Sequence, residues 1–393
     1  MNQEQELVTG EAWREFCDRL KASGDRLLGD DFPAGAADRA EGYRHLCRLL
    51  IRGLYEQVEF ANPAFPAMYR HNDDVMRWGG PNVDNTYWRA PVSADYAYRV
   101  DGWLPPGALF VIQSAYGEMH QGTMGVTAER TSADFAVGPD GSFSFVASTA
   151  PNEGNWLPFD ENSDHISIRE YNVDWGSDEP GRFLIERLDS QGQHPKPLDP
   201  GEFAEALHRA VDWADAGLVF WNQWMEGSRR NATINKFYGP FSATEGAAAI
   251  GYGGCDYALA PDEAMVITCD VPKAQYWSFN LYNYAWFESL DFANRTVTLN
   301  NAQIATDPDG RFRLVLAHDD PGVQNWLDTE GRGEAFMCFR WVMSKTMPTP
   351  ESQVVPFSEL SQHLPEFVAR FTSDQRAAQI ATRRQSRALR FRC

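Results

Sequence analysis

Two stretches, GPDGSFSFVASTAPNEGNWLPFD at residues 138–160 and DPDGRFRLVLAHDDPGVQNWLDTE at residues 307–330, read as copies of one pattern. Each opens on Pro-Asp-Gly, continues with Phe, an apolar residue and Val at matching steps, and closes on Asn-Trp-Leu. The Pro-Asp-Gly markers lie 169 residues apart and the Asn-Trp-Leu markers 170, so one inserted residue separates the copies. Upstream, Leu104-Pro105 to Phe110 matches Val271-Pro272 to Trp277 at a spacing of 167. A repeat this long points to duplicated β-domains, because solenoids repeat every 20–50 residues or so. Glycine after aspartate accepts the positive φ of a tight turn. The expected fold is mainly β: two related antiparallel jelly-roll-like sandwiches, decorated by N-terminal, central and C-terminal helices.

Outward from the repeat, period-two segments near 96–100, 108–116, 133–137, 142–148 and 165–171 read as strands of the first copy. Segments at 264–269, 275–282, 296–299, 311–317 and 335–343 read as strands of the second. Two amphipathic helices precede them. One spans residues 11–28, with Trp13, Phe16, Cys17, Leu20, Leu27 and Leu28 as its stripe. The other spans 38–60, with Tyr43, Leu46, Leu50, Leu54 and Val58, and stops at Asn62-Pro63. Asp199-Pro200 begins a third, whose stripe is Phe203, Leu207, Val211, Ala214, Leu218 and Trp221, and Gly227 can end it. The resulting division is a helical region over 1–80, a sandwich over 81–195, a connecting helix over 196–230, a second sandwich over 231–347 and a basic helical tail over 348–393. From Arg370 onward the tail has seven Arg and one Asp, and it is expected to dock on the acidic body, in cis or across a homodimer, with docking weakened by added salt.

Composition sets the outer limits. The 393 residues include 35 Lys and Arg against 55 Asp and Glu, a net charge of −20. A balance of this sign argues against a dedicated nucleic-acid binder and against docking on anionic lipid. No apolar run approaches roughly 18 residues, and the stretch MNQEQELVTGEAW is not expected to act as a signal peptide. The six cysteines are scattered, and they read as reduced thiols of a cytoplasmic protein. The 13 Trp, 14 Tyr and 24 Phe supply sandwich cores first and ligand-stacking faces second.

The second copy, YWSFNLYNYAWFESLDFANRTVTLNN followed by DGRFRLVLAHDDPGVQNWLDT and EAFMCFRWV, closely resembles the bacterial domain-of-unknown-function 1214 family over about residues 255–345. GGPNVDNTYWRAP at 79–91 is more loosely similar to an associated N-terminal 1254-type pattern. The resemblance implies a jelly-roll-like β-domain, similar in layout to peptide:N-glycosidase sandwiches. It implies no reaction.

Several chemistries are absent as motifs: no G-x-S-x-G elbow, no H-E-x-x-H helix, no paired-cysteine zinc site. GAAAIGYGG at 246–254 lacks the Lys that reaches phosphate and reads as a flexible loop. Asp160, Asn162 and Asp164 alternate like the start of a calcium loop, yet His165 stands at the glycine position. No cofactor is called for. Residues that only one copy carries are more available for chemistry. His318-Asp319 can move protons at a strand end, and its first-copy counterpart is Thr149-Ala150. Glu288 and Asp291 can polarise water, with Asn294 and Arg295 to hold an oxyanion or hydroxyl and Tyr282 to stack. In the first copy Glu118 and His120 fall on one strand face, and Asn85 and Tyr87 on another. The expected function is a hydrolase or lyase acting on a small hydroxylated or aromatic molecule, possibly a glycoside. Asp291 or Asp319 would be base and His318 proton carrier. The alternative is a lectin-like or hydrophobic-ligand-binding protein without catalysis.

Overall fold

The computed structural model describes residues 3–105, 107–177, 179–242 and 249–392. It opens with helices α1 (Gln3–Thr9), α2 (Glu11–Arg26) and α3 (Ala36–Leu54), the last running into a π-helical turn over Tyr55–Glu59. Nine strands follow among the described residues: β1 (Tyr69–Asn72), β2 (Asn85–Pro91), β3 (Tyr98–Trp103), β4 (Leu109–Tyr116), β5 (Gly125–Thr131), β6 (Ser142–Ser148), β7 (Trp156–Pro158), β8 (His165–Tyr171) and β9 (Arg182–Arg187). Helix α4 (Pro200–Asn231) leads to β10 (Tyr238–Ser242), β11 (Ile250–Ala258), β12 (Glu263–Asp270), β13 (Tyr276–Tyr282), β14 (Thr298–Asn300), β15 (Arg311–Ala317), β16 (Trp326–Asp328), β17 (Glu334–Val342) and β18 (Glu351–Pro356). Helix α5 (Ser373–Phe391) comes last. Two compact units result: 1–79 with 86–171 and 180–223, and 80–85 with 172–179 and 224–393.

The duplication is real strand for strand. In the first unit the sheets run β1-β2-β8-β4-β5 and β7-β6-β3-β9; in the second, β10-β11-β17-β13-β14 and β16-β15-β12-β18. Adding nine to each strand number turns one set into the other. Even the short parallel pairs agree, Val146 opposite Trp156 and Val315 opposite Trp326. Asn155 Nδ2 donates to the carbonyls of Ala136 and Ser144, and Asn325 Nδ2 to those of Ala305 and Arg313. The two Trp indoles donate to the Ser148 and Ala317 carbonyls. These residues lock a turn to a strand end, which is why both copies need them. Phe110, Ile112, Phe143, Phe145 and Ile168 fill the first sandwich; Phe279, Phe312, Leu314, Phe339 and Trp341 fill the second.

Gly141 and Gly310 occupy the equivalent turns at φ 82° and 80°. A Cβ on Gly310 would meet nothing within 4 Å, whereas one on Gly141 would lie 1.8 Å from the Leu104 carbonyl oxygen. Gly310→Ala is therefore expected to cost only the left-handed backbone penalty, about 1–2 kcal/mol. Gly141→Ala should cost distinctly more, and urea denaturation of the two variants measures the difference.

Several sequence expectations need correction. The segment 133–137 is not a strand: Ser132–Asp134 forms a 3₁₀ turn, with Asp134 accepting from the Thr131 backbone and hydroxyl. Asp199 does cap α4, accepting from the Glu202 amide, but the helix passes through Gly227 to Asn231. Of the glycine-rich stretch, residues 246–248 lie outside the described residues, and Ile250 onward is strand β11 rather than loop. Its glycines let rings lie on the backbone: a Cβ on Gly253 would sit 2.1 Å from the Phe339 ring. In α3 the buried face holds His45, Leu46, Leu49, Arg52 and Gly53, while Tyr43 is exposed. Trp13 in α2 and Leu28, two residues past its end, are exposed.

The tail is not helical throughout. Glu351–Pro356 pairs antiparallel with β12 before α5 begins. Thr372 and Gln375 cap α5 reciprocally. Helix α5 docks within its own unit, and seven-residue spacing puts Arg376, Arg383 and Arg390 on its buried face. Arg376 pairs with Asp320 at 2.9 Å; Arg383 donates to the Thr298 carbonyl at 2.5 Å and Arg390 to that of Val83 at 2.7 Å. Both Arg383 and Arg390 lie over the Trp175 ring, at 4.8 and 4.6 Å. That indole donates to Asp84 at 2.7 Å, and the Tyr276 hydroxyl donates to it at 2.5 Å. The tail thus reads backbone carbonyls and one buried carboxyl more than acidic surface, so its docking is expected to tolerate salt.

Candidate active site

In the first unit, the strand period turns Tyr87, Arg89, Gln113, His165 and Arg169 away from the sandwich core. Strand β1 adds Tyr69 and His71 to this outer face of the five-stranded sheet. Helix α3 and its π-helical extension bring Arg52 and Glu56, a 3₁₀ turn after β4 brings His120, and α4 brings Trp213. The face is covered, so polar side chains on it become buried.

These groups close into a ring. Arg52 Nε donates to Glu56 Oε1 at 2.8 Å. The same oxygen lies 3.6 Å from an Arg89 nitrogen, and Arg89 Nη2 lies 2.6 Å from Glu118 Oε1. Glu118 Oε2 is 4.0 Å from His120 Nδ1, too far for a hydrogen bond. The His120 ring stands edge-on to Trp213 and Trp78, centroids 4.5 and 5.6 Å away. The Arg52 guanidinium covers the same two indoles at 5.0 and 4.4 Å. Side-chain exposure is 0% at His120, 2% at Arg52 and 4% at Glu56, against 10% at Glu118 and 13% at Arg89. The last two therefore form the side nearest solvent. His165 flanks them, its Nδ1 2.5 Å from Asp164 and 3.2 Å from Arg89. A proton on Nδ1 serves Asp164, which leaves the Arg89 approach a close contact rather than a hydrogen bond in that tautomer.

Electrostatics separate the two glutamates. Burial pushes the Glu118 carboxyl up to about 7; Arg89 pulls it back and the Glu56 charge repels it. Burial also opposes ionisation of Glu56, but Arg52 and Arg89 together outweigh it and hold the group below its ordinary value. Burial and Arg52 bring His120 down to about 4, and burial and Arg89 do the same for His165. His71 is pushed well below its usual range by burial and the charges of Arg52, Arg89 and Arg169. At neutral pH the site therefore holds fixed guanidinium charge, neutral imidazoles, one fixed carboxylate and one carboxyl poised between its forms. Carboxyl groups driven apart in this way divide acid and base duties.

Of the residues singled out in the sequence, Glu118 and His120 do come together here, though not on a strand. Gly117, at φ 64°, ends β4, and His120 sits in the 3₁₀ turn Met119–Gln121. Tyr87 joins the site's edge through His71, ring centroids 5.7 Å apart, whereas Asn85 belongs to the second unit. In that unit Asp291 accepts both contacts of the Asn294 amide, at 2.8 and 3.0 Å, as the cap of a turn. Arg295 pairs with Asp328, His318 Nδ1 meets Thr329 Oγ1 at 2.6 Å, and Glu330 accepts from the Asp291 amide at 2.6 Å. The loop 328–330 is their common partner. Asp319 is exposed, and Glu288 is buried beside Asn283. The Tyr282 hydroxyl is held between Arg340 and the Pro81 carbonyl. In the first unit, Asp160 is spent on its own turn, accepting from the Asn162 amide and the Ser163 hydroxyl. No group of His, Cys, Asp and Glu among the described residues is arranged to hold a metal.

Arg52, Glu56, Arg89, His71 and His165 were not singled out. Only the four-residue spacing of Arg52 and Glu56 on a helix was a local signal. The duplication supplies another. Matching register places His165 where the second unit has Phe336, and Arg169 where it has Arg340. The histidine is specific to one copy; the arginine is shared.

Comparison with known proteins adds descent but no reaction. Residues 248–346, in the second unit, match the family described as Protein of unknown function (DUF1214). An uncharacterised protein from Burkholderia cenocepacia is 31% identical, with 90% of this chain and 99% of that one covered and a TM-score of 0.84. The VPA0106 protein of Vibrio parahaemolyticus is 13% identical over 80% of this chain and 98% of that one, with a TM-score of 0.46. No curated protein matches significantly. Among the described residues, no helix is long and apolar enough to cross a membrane.

Proposed function

The chain belongs to the DUF1214 family, whose description assigns no reaction, and we propose from its own residues that it is a cofactor-independent acid–base enzyme of hydrolase or lyase type. The observation that carries this reading is the Glu118 carboxyl, nearly desolvated and held 2.6 Å from Arg89. With an ionisation near 7, it can give and regain a proton within one turnover at neutral pH. Arg89 would hold negative charge that develops on a substrate oxygen, and Glu56 would keep that guanidinium oriented. Substrates are small hydroxylated or aromatic molecules that meet the site from its Glu118 and Arg89 side.

The test is a screen of nitrophenyl esters and glycosides, followed by variants. Glu118→Gln is expected to lower kcat/KM by about 10²–10⁴-fold and to remove an inflection near pH 7 from the rate profile. Asp291→Asn and His318→Ala should leave turnover intact. If Glu118→Gln stays active and Asp291→Asn does not, the second unit holds the chemistry and this assignment is wrong. Ligand binding without turnover in the wild type would favour the carrier alternative.

A further inference from the structure

The buried ring holds polar atoms that no protein group satisfies. Arg52 Nη1, Glu56 Oε2, Trp78 Nε1, Trp213 Nε1 and both ring nitrogens of His120 lack a hydrogen-bond partner of good geometry. The Trp213 backbone carbonyl only partly offsets the fall in the His120 pKa. Unpaired polar groups in a protein interior forfeit their hydration without replacement, so something polar is expected to complete them. They all belong to one contiguous set of side chains, since Arg52 and His120 both lie against the same two indoles.

The inventory identifies the missing group. Neutral His120 offers one donor and one acceptor. With the two N–H groups of the Arg52 nitrogen and two indole N–H groups, the set holds five unmet donors against two unmet acceptors. A hydroxyl accepts twice and donates once, so two hydroxyls meet both acceptors and four of the donors, the fifth being the His120 N–H that the Trp213 carbonyl approaches. A carboxylate or phosphate would satisfy the donors, leave Glu56 Oε2 without a proton donor and bring a second negative charge toward it. A hydroxyl also suits the 4.0 Å gap between Glu118 Oε2 and His120 Nδ1, where a direct bond is too long.

We propose that this site takes a neutral polyhydroxylated ring, a monosaccharide or cyclitol, through adjacent hydroxyls placed among Arg52, Glu56 and His120. The proposal rests on the acid–base reading of the same site and names its substrate class. Isothermal titration of the full chain with myo-inositol and with the methyl glycosides of glucose, galactose and mannose tests it, with acetate and inorganic phosphate as competitors in class. At least one polyol is expected to bind, and His120→Phe to weaken it by tenfold or more, on the order of a lost buried hydrogen bond or two. Trp213→Phe keeps a ring in place while removing one donor, and should weaken the same polyol with the melting curve retained. Binding of acetate or phosphate without any polyol, or of no probe at all, overturns the proposal, the latter meaning that water alone fills the set. A polyol that binds but whose glycosides are never cleaved, nor eliminated, leaves the substrate class standing and removes the acid–base reading instead.

Discussion

A chain ending at Pro365 is expected to lose cooperative unfolding of its second unit, and Arg383→Ala alone, which frees the Phe292 and Thr298 carbonyls but leaves Arg390 in place, to cost that unit about 1–3 kcal/mol. The reason lies under α5. Arg383 and Arg390 are buried over Trp175, and with them gone the Asp84 carboxyl keeps only neutral donors in a site closed to water. Burial already raises the Asp84 pKa; Tyr276 and Arg390 act against it. Burial lowers that of Arg383 to about 10, with Asp84 offsetting part. A loss of this size is a large share of the 5–15 kcal/mol typical of a folded domain. Hydrogen exchange of β13 and β14 reads it directly. Asp84→Asn in the Arg383→Ala background should recover part of the loss, and no recovery would mean that packing of α5, not charge, holds the unit.

Acid should unfold the first unit early. His120 and His165 have folded pKa values near 4 against an ordinary 6.5, so between those values the unfolded chain binds protons that the folded chain refuses. Stability from these two groups is present above 6.5 and falls as pH drops toward 4, each by on the order of 3 kcal/mol. His71 acts in the same direction. Glu118 acts in the opposite one: raised to about 7, it favours the folded state at low pH, and that contribution is lost as pH rises from about 4.5 through 7. Guanidinium denaturation between pH 4.5 and 8 should show stability rising with pH, more steeply in Glu118→Gln. That variant should also exceed the wild type at pH 8. A flat profile in both would show that the histidines are solvated.

The repeat could be found without coordinates because its markers are turn residues with fixed backbone duties: Gly141 and Gly310 at positive φ, Asn155 and Asn325 tying a turn to a strand. Long strands with clear alternation, β4, β8, β13 and β17, were legible for the same reason. Short or glycine-bearing strands such as β7, β11 and β16 were not, since periodicity needs several residues to speak. The candidate site was half legible. Glu118 and His120 are near neighbours in sequence, but the Arg89 that joins Glu118 to Glu56 lies about thirty residues from either. More telling is the alternation in β8, where His165 and Arg169 share a face. On an open sheet that face meets water, and polar residues there mean nothing. Only the helices laid over it turn the same residues into a buried charged cluster, and that covering is a tertiary fact.

Two units with one strand order in a single chain also create a hazard while the chain is folding. A strand of one copy can be offered to the other copy's sheet, the usual misassembly of tandem repeats. Central strands β4 and β13 are placed to refuse the exchange. Equivalent core positions carry Phe110 and Ile112 in one, Trp277 and Phe279 in the other. Inserted into the first sheet, β13 would overfill its core at both positions, at about 1–3 kcal/mol each. In the reverse exchange, β4 would leave voids. Divergence of the two cores is expected to disfavour such mispairing, and substitutions that make β4 and β13 more alike should lower refolding yield before they lower stability.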